Sequence, residues 1–207
     1  MKNFGLRIVI PLILFSETGV VVAKDYVPQA AEAVKTQKEE EKFIQNLGDE
    51  AIEVISKPGI TTKEVQSKFH DLLSKNFAVE SIARYSLGKN FRVLSESEKK
   101  DFLKCFENML VRMYSSRFSE YKSAKFVVTG SRKKSAKQIF VKSKITVPNK
   151  EDIPVVWSVF LSKGSMKVYD VIISDVSISN IQQSEFSGKI SKVGLKKFLE
   201  EFKEKYK

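Results

Sequence analysis

Apolar residues recur at four-residue steps from Phe43 through Leu47 and Ala51 to Ile55, with Ile44, Ile52 and Val54 beside them. Lys38 to Glu41 supplies the polar side. This period predicts an amphipathic helix from about Thr36, ended by Pro58-Gly59. Thr61 followed by Glu64 has the spacing of a capping box. It opens a second helix whose one face carries Val65, Phe69, Leu72, Leu73 and Phe77. A shorter helix is expected over Val79 to Ser86, stopping at Gly88. Ser95 and Glu98 repeat the capping-box spacing and start the longest helix, to about Tyr121. Its stripe is Phe102, Cys105, Phe106, Met109, Leu110, Met113, Tyr114 and Phe118.

Beyond residue 125 the period changes from helical to two. Phe126 to Gly130 and Gln138 to Val147 have strand composition, and the second sets Ile139, Val141, Ile145 and Val147 against Lys142, Lys144 and Thr146. Pro148-Asn149-Lys150 makes a turn. Val155 to Leu161 and Met166 to Ile173 are joined at Lys163-Gly164-Ser165, a compact hairpin signal. Both strands are apolar on two faces, which places them centrally in a sheet. Val176 to Ile181 reads as an extension of the last strand past a kink. Helical patterns return over Gln183 to Ile190 and Val193 to Tyr206. The order of helices, four antiparallel strands, then helices predicts an α+β domain. Its helices pack on one face of a curved, mainly four-stranded antiparallel sheet.

The first residues belong to none of this. Lys2 and Arg7 precede an apolar run, Ile8 to Phe15, about half as long as a membrane-spanning helix requires, and Pro11 interrupts it. Val21-Val22-Ala23 then offers compact residues for a signal peptidase. Residues 1–23 are therefore expected to be a cleavable export signal, leaving a single domain at 24–207. The chain carries a net charge of +11, which draws it to anionic surfaces. Export argues against nucleic acid as the partner.

Candidate chemistry is sparse. The single cysteine, Cys105, permits no intramolecular disulfide, and its place in an apolar stripe marks it as a core residue. His70 is the only histidine, so histidine-based metal sites are excluded and a catalytic triad would depend on this residue alone. Asp170, between Val168 and Ile172 on a strand, is either a general base with a shifted pKa or a carboxylate bonded to the backbone or a nearby cation. The basic clusters Arg132-Lys133-Lys134 and Lys196-Lys197 read as solvated faces or docking points. The surplus lies in apolar residues: fifteen phenylalanines and six tyrosines. They suit either a tight core or the lining of a cavity for acyl chains, each buried methylene being worth about 0.8 kcal/mol.

Two segments carry a resemblance. Residues 87–121 read Leu-Gly-Lys-Asn-Phe-Arg, then Leu94-Ser95-Glu96-Ser97-Glu98-Lys99, then Phe102, Phe106, Leu110, Tyr114 and Tyr121. Residues 167–186 read Lys-Val-Tyr-Asp-Val-Ile-Ile, then Val176-Ser177-Ile178, and end at Phe186. With the Val147-Pro148 turn, this set resembles the MlaC, or toluene-tolerance, family of periplasmic phospholipid-binding proteins from about residue 40 to the C-terminus. The chain departs from that pattern at Asp175, where a glycine is usual, at Gln183, where an arginine is usual, and around Asn90-Phe91, where Trp or Tyr is usual.

The resemblance implies a carrier in the upkeep of outer-membrane lipid asymmetry, without cofactor, whose cargo is a phospholipid; nothing in the chain demands a dimer, so a monomer is expected. It would shuttle that lipid between an inner-membrane ABC transporter complex and an outer-membrane lipoprotein complex. The acyl tails would sit in an apolar cavity between sheet and helices. Periodicity selects the candidate lining as Phe69, Leu73, Phe77, Phe106, Leu110, Met113, Tyr114, Val141, Ile145, Trp157, Val159, Val168 and Tyr169. Two alternatives stand beside it. One is a periplasmic interaction or chaperone module with a solid core. The other is a cone-shaped α+β enzyme using Asp170 or His70.

Overall fold

The structure, a computed structural model, describes residues 38–115, 121–162 and 164–207. The expected export signal lies outside them, as do Phe118 and Lys163. The first helix, α1 (Glu39–Ser56), is followed by α2 (Thr62–Asn76), α3 (Val79–Leu87), a 3-10 turn (Gly88–Val93) and α4 (Glu96–Ser115). Strands β1 (Lys125–Lys133), β2 (Gln138–Thr146), β3 (Ile153–Ser162), β4 (Ser165–Ile173) and β5 (Val176–Ser177) come next. Helices α5 (Ile178–Val193) and α6 (Leu195–Tyr206) close the chain.

Both capping boxes form. The Thr61 hydroxyl accepts the Glu64 N–H at 3.2 Å while the Glu64 carboxylate accepts the Thr61 N–H at 2.8 Å. Ser95 and Glu98 exchange the same pair at 3.3 and 2.8 Å. The serine and threonine hydrogen bonds hold both carboxyls below their ordinary pKa. Gly88 follows α3 with φ +59°, a left-handed conformation in which only glycine is unstrained.

The strands form one antiparallel sheet in the order β1-β2-β3-β4-β5. Its inner face sets Ile139, Val141 and Ser143 of β2 opposite Val159, Trp157 and Val155 of β3, which face Val168, Val171 and Ile173 of β4. Thr129 in β1 and Tyr169 in β4 are extra residues at breaks in the register. Such bulges bend their strands and increase the twist, which gives the expected curvature.

The strand expected from Val176 is shorter than the sequence pattern suggests, and it folds back on β4 instead of extending it. After β4 the chain turns through Ser174 and Asp175, with φ +47° and +64°, into a two-residue β5. A two-residue hairpin turn of type I′ requires this left-handed pair, and Asp175 stands where the resembled family usually has glycine. Residues 178–181, expected as strand, are helical instead. The reason is a cap: the Ser177 hydroxyl accepts the Asn180 N–H at 3.1 Å and starts α5.

Helix α1 lies on β1 and β2. Gln45 covers the open edge of β1: its amide donates to the Phe126 carbonyl at 3.3 Å and its oxygen accepts the Val128 N–H at 2.9 Å. Otherwise these groups would offer pairing to another chain. The approach is close because of Gly48. A Cβ there would lie 2.1 Å from the Phe126 ring. Replacing Gly48 by alanine is therefore expected to destabilise the protein by about 2 kcal/mol, despite alanine's better helix propensity. Denaturant unfolding measures the loss, and Gly48→Ala combined with Phe126→Leu should recover part of it.

Candidate functional site

Among the described residues, most of the buried apolar side chains fall into two clusters. The sheet cluster joins Ile44 and Leu47 of α1 and Leu72 of α2 to Ile139, Val141, Val159 and Val168. The helical cluster is built on α4, whose Phe102 and Phe106 meet Phe186 of α5, with Phe198 and Phe202 of α6 stacked beside them. Among the described residues, Phe77, half-buried where α2 ends, packs against both. A seam between sheet and helices passes this point.

Most of the candidate lining residues belong to one cluster or the other. Leu73, Phe106 and Leu110 are buried in the helical cluster, and Phe69, Met113 and Tyr114 pack half-buried against it. The rings of Phe69 and Tyr114 lie 6.4 Å apart. Val141, Val159 and Val168 are buried in the sheet cluster, and Trp157 packs against it. The Trp157 indole donates to the Ser143 hydroxyl at 2.8 Å and meets Phe126 edge-on at 6.0 Å.

Two candidates stand apart. Ile145 is on the inner face but at the far end of β2, opposite Phe126 and Ile153 and in neither cluster. Tyr169 is the bulged residue of β4 and turns to the other face, where its ring lies 4.5 Å from Phe160 and its hydroxyl 3.5 Å from that of Ser81. Periodicity counted Val168 and Tyr169 together, but a strand sends neighbours to opposite faces. The structure adds half-buried Phe43, Met166 and Val171 to the sheet side. Phe43 was legible in the helical stripe of α1.

Phe106, Val141, Val159 and Val168 have no accessible surface, so no water-sized space adjoins them. At these residues the expected cavity is closed in this structure. A recess of about 200 Å³ lies elsewhere, between α4 and α6, beside Phe102, Cys105, Leu199 and Phe202, with Asp101 and Lys203 paired at 2.5 Å on its rim. It is smaller than ordinary ligand pockets, roughly 300–1,000 Å³. A larger, open trough of about 590 Å³ runs along α6, with Val193, Gly194 and Leu195 at one end and Lys196, Lys197, Glu200, Glu201 and Glu204 along the rest. Such charges do not suit acyl tails.

The candidate bases have structural partners. Asp170 accepts the Val171 N–H at 2.9 Å and the Ser179 N–H at 3.0 Å through one oxygen, and the Ser177 hydroxyl at 2.6 Å through the other. It thereby supports the first turn of α5, where backbone donors lack helical partners. His70 is half-exposed on α2, with Nε2 3.3 Å from Glu107, which also accepts the Ser74 hydroxyl at 2.8 Å. Burial pushes the Cys105 thiol up in pKa, against reactivity. Among the described residues no group of three or more His, Cys, Asp and Glu could hold a metal ion, and no helix is long and apolar enough to cross a membrane.

Two carboxylates yield predictions. Asp170→Ala should lose about 2 kcal/mol of stability, because it leaves the bonded donors without an acceptor. Asp170→Asn, which keeps one oxygen, should lose clearly less in thermal unfolding. Glu185 on α5 has an inward oxygen without a partner, and burial raises its pKa. The unfolded carboxyl therefore ionises first as pH rises, and this residue's contribution to stability falls from the ordinary carboxylate range up to its raised folded value. Glu185→Gln should thus gain on the parent between about pH 4 and about pH 7, as unfolding at both values would measure.

Comparison with known proteins extends this geometry. Residues 45–204 match the family described as MlaC protein. Among solved structures, a phospholipid-binding protein from Ralstonia solanacearum, in complex with a phospholipid, aligns with a TM-score of 0.70 at 19% identity. The alignment covers 80% of this chain and 97% of that one. No curated protein matches the chain.

Proposed function

The chain belongs to the MlaC protein family, and from that premise we infer that it is a phospholipid carrier. It takes up a phospholipid, shelters the acyl tails between sheet and helices, and releases the lipid elsewhere. The observation that carries this reading is the fold shared with a protein solved with phospholipid bound. The two apolar clusters meeting at Phe77 support it from the residues upward.

In this proposal the tails lie along the seam, against Phe69, Phe77, Met113 and Tyr114 on the helical side and Trp157 on the sheet. The seam must part to admit them, since Phe106, Val141, Val159 and Val168 leave no space. Parting exposes apolar side chains that the tails then cover. Each tail methylene leaving water contributes about 0.8 kcal/mol, and no polar partner is needed. We read the protein as a binder rather than an enzyme, and Asp170's three bonds at the start of α5 support this. The same proposal has residues 1–23 direct a monomer to the periplasm. There it exchanges lipid with an inner-membrane ABC transporter complex and an outer-membrane lipoprotein complex.

The test is mass spectrometry of organic extracts from protein recovered after export and purified without detergent. Phospholipid near one-to-one with protein is expected. Removing it should shift the emission of Trp157, the only tryptophan, and returning it should reverse the shift. Protein that is lipid-free and takes none from vesicles would overturn the reading in favour of an interaction module.

A further inference from the structure

Every charged residue from Lys122 to Lys150 is basic, and the sheet register gathers four of them on one surface. Lys125 and Arg132 of β1 share the outer face with Lys142 and Lys144 of β2, since Lys125 pairs with Thr146 and Arg132 with Phe140. All four are exposed. Lys133, Lys134 and Lys137 extend the charge around the hairpin tip. Asp152 pairs with Lys144 at 2.8 Å at one end. Glu40 and Glu41 of α1 bond Ser131, which lies on the inner face opposite Val141.

Apolar groups stand among these cations. Val127 is 45% exposed on the same face, opposite Lys144. Half-buried Phe140 lies under the Arg132 guanidinium, 5.7 Å from its ring centre. The helices of the sheet cluster occupy the other face.

We propose that this outer face of the β1–β2 hairpin docks the protein on a membrane surface rich in anionic lipid headgroups. The cations supply attraction to phosphate, worth about fivefold per residue near the surface. Val127 and the edge of Phe140 enter the headgroup boundary, as apolar residues do in interfacial binding. An acidic protein would meet the lysines but would gain little from the apolar groups between them. This goes beyond the cargo reading, because a carrier need not touch a bilayer and a bilayer-binding protein need carry nothing.

Co-sedimentation tests it, using protein recovered after export and vesicles of phosphatidylethanolamine with or without phosphatidylglycerol. Binding is expected only with phosphatidylglycerol, and it should weaken as salt rises. Lys125→Gln, Arg132→Gln and Lys142→Gln combined should weaken it about a hundredfold. Lys196→Gln with Lys197→Gln on α6 should change it only slightly, and Val127→Ser should weaken it severalfold with the charge intact. Equal losses from the α6 pair would overturn the proposal in favour of diffuse charge. So would tighter binding to polyglutamate than to the vesicles, or displacement by inorganic phosphate beyond that by chloride of equal ionic strength. Circular dichroism of each variant separates lost binding from lost folding, and lipid extraction from the triple variant reads the cargo independently.

Discussion

Where α2 ends, the backbone of Phe77 bridges Val168 of β4, and the next N–H, that of Ala78, donates to the Val168 carbonyl at 2.9 Å. The Lys167 ammonium reaches the last carbonyls of α2, at Ser74 and Lys75, where a cation also opposes the negative end of the helix. The Phe77 ring touches both apolar clusters. Without this junction the helical cluster would meet the sheet mainly through α5 and α3 at the far edge of β4. The proposed tail site depends on it, because the seam exists only where the two clusters are held side by side.

The sheet side is held by a different set of contacts. Gly48 lets α1 lie on Phe126, and Gln45 ties the same helix to the open edge of β1. Close packing and satisfied backbone groups make this layer a poor candidate for movement. In the proposed site the wall that parts is the helical one, where Phe69, Met113 and Tyr114 are half-buried on α2 and the end of α4. The bulge at Tyr169 shifts the alternation by one residue, so that Val168 and Val171 share the inner face opposite Val159 and Trp157.

Polar chemistry in this protein serves its architecture. Asp170 and Ser177 together begin α5, and Thr61 and Ser95 begin α2 and α4. Gln182 and Glu185 on α5 each retain a buried atom without a partner, and burial shifts the Glu185 carboxyl toward its neutral form. Charge is concentrated instead on the surface of β1 and β2, on the opposite side of the sheet from its apolar cluster. One element thus presents a dry face inward and a cationic face outward, which period-two alternation makes possible.

The sequence by itself determined the elements and the fold class. The Thr61–Glu64 and Ser95–Glu98 boxes, the four-residue stripes and the alternation of Ile139, Val141 and Lys142 are local signals. They act within one turn or one strand, so no distant contact is needed to read them. It also carried the family likeness, which the match over residues 45–204 bears out. Tertiary structure alone decided what lies far apart in the chain. The division of the apolar residues into two clusters, the contact of Gly48 with Phe126, and the three bonds of Asp170 all depend on which elements meet. The shortness of β5 and the outward turn of Tyr169 were hidden because a bulge and a cap each break a period by one residue. Periodicity shows that a side chain is apolar and which way it repeats, but only packing decides what it faces.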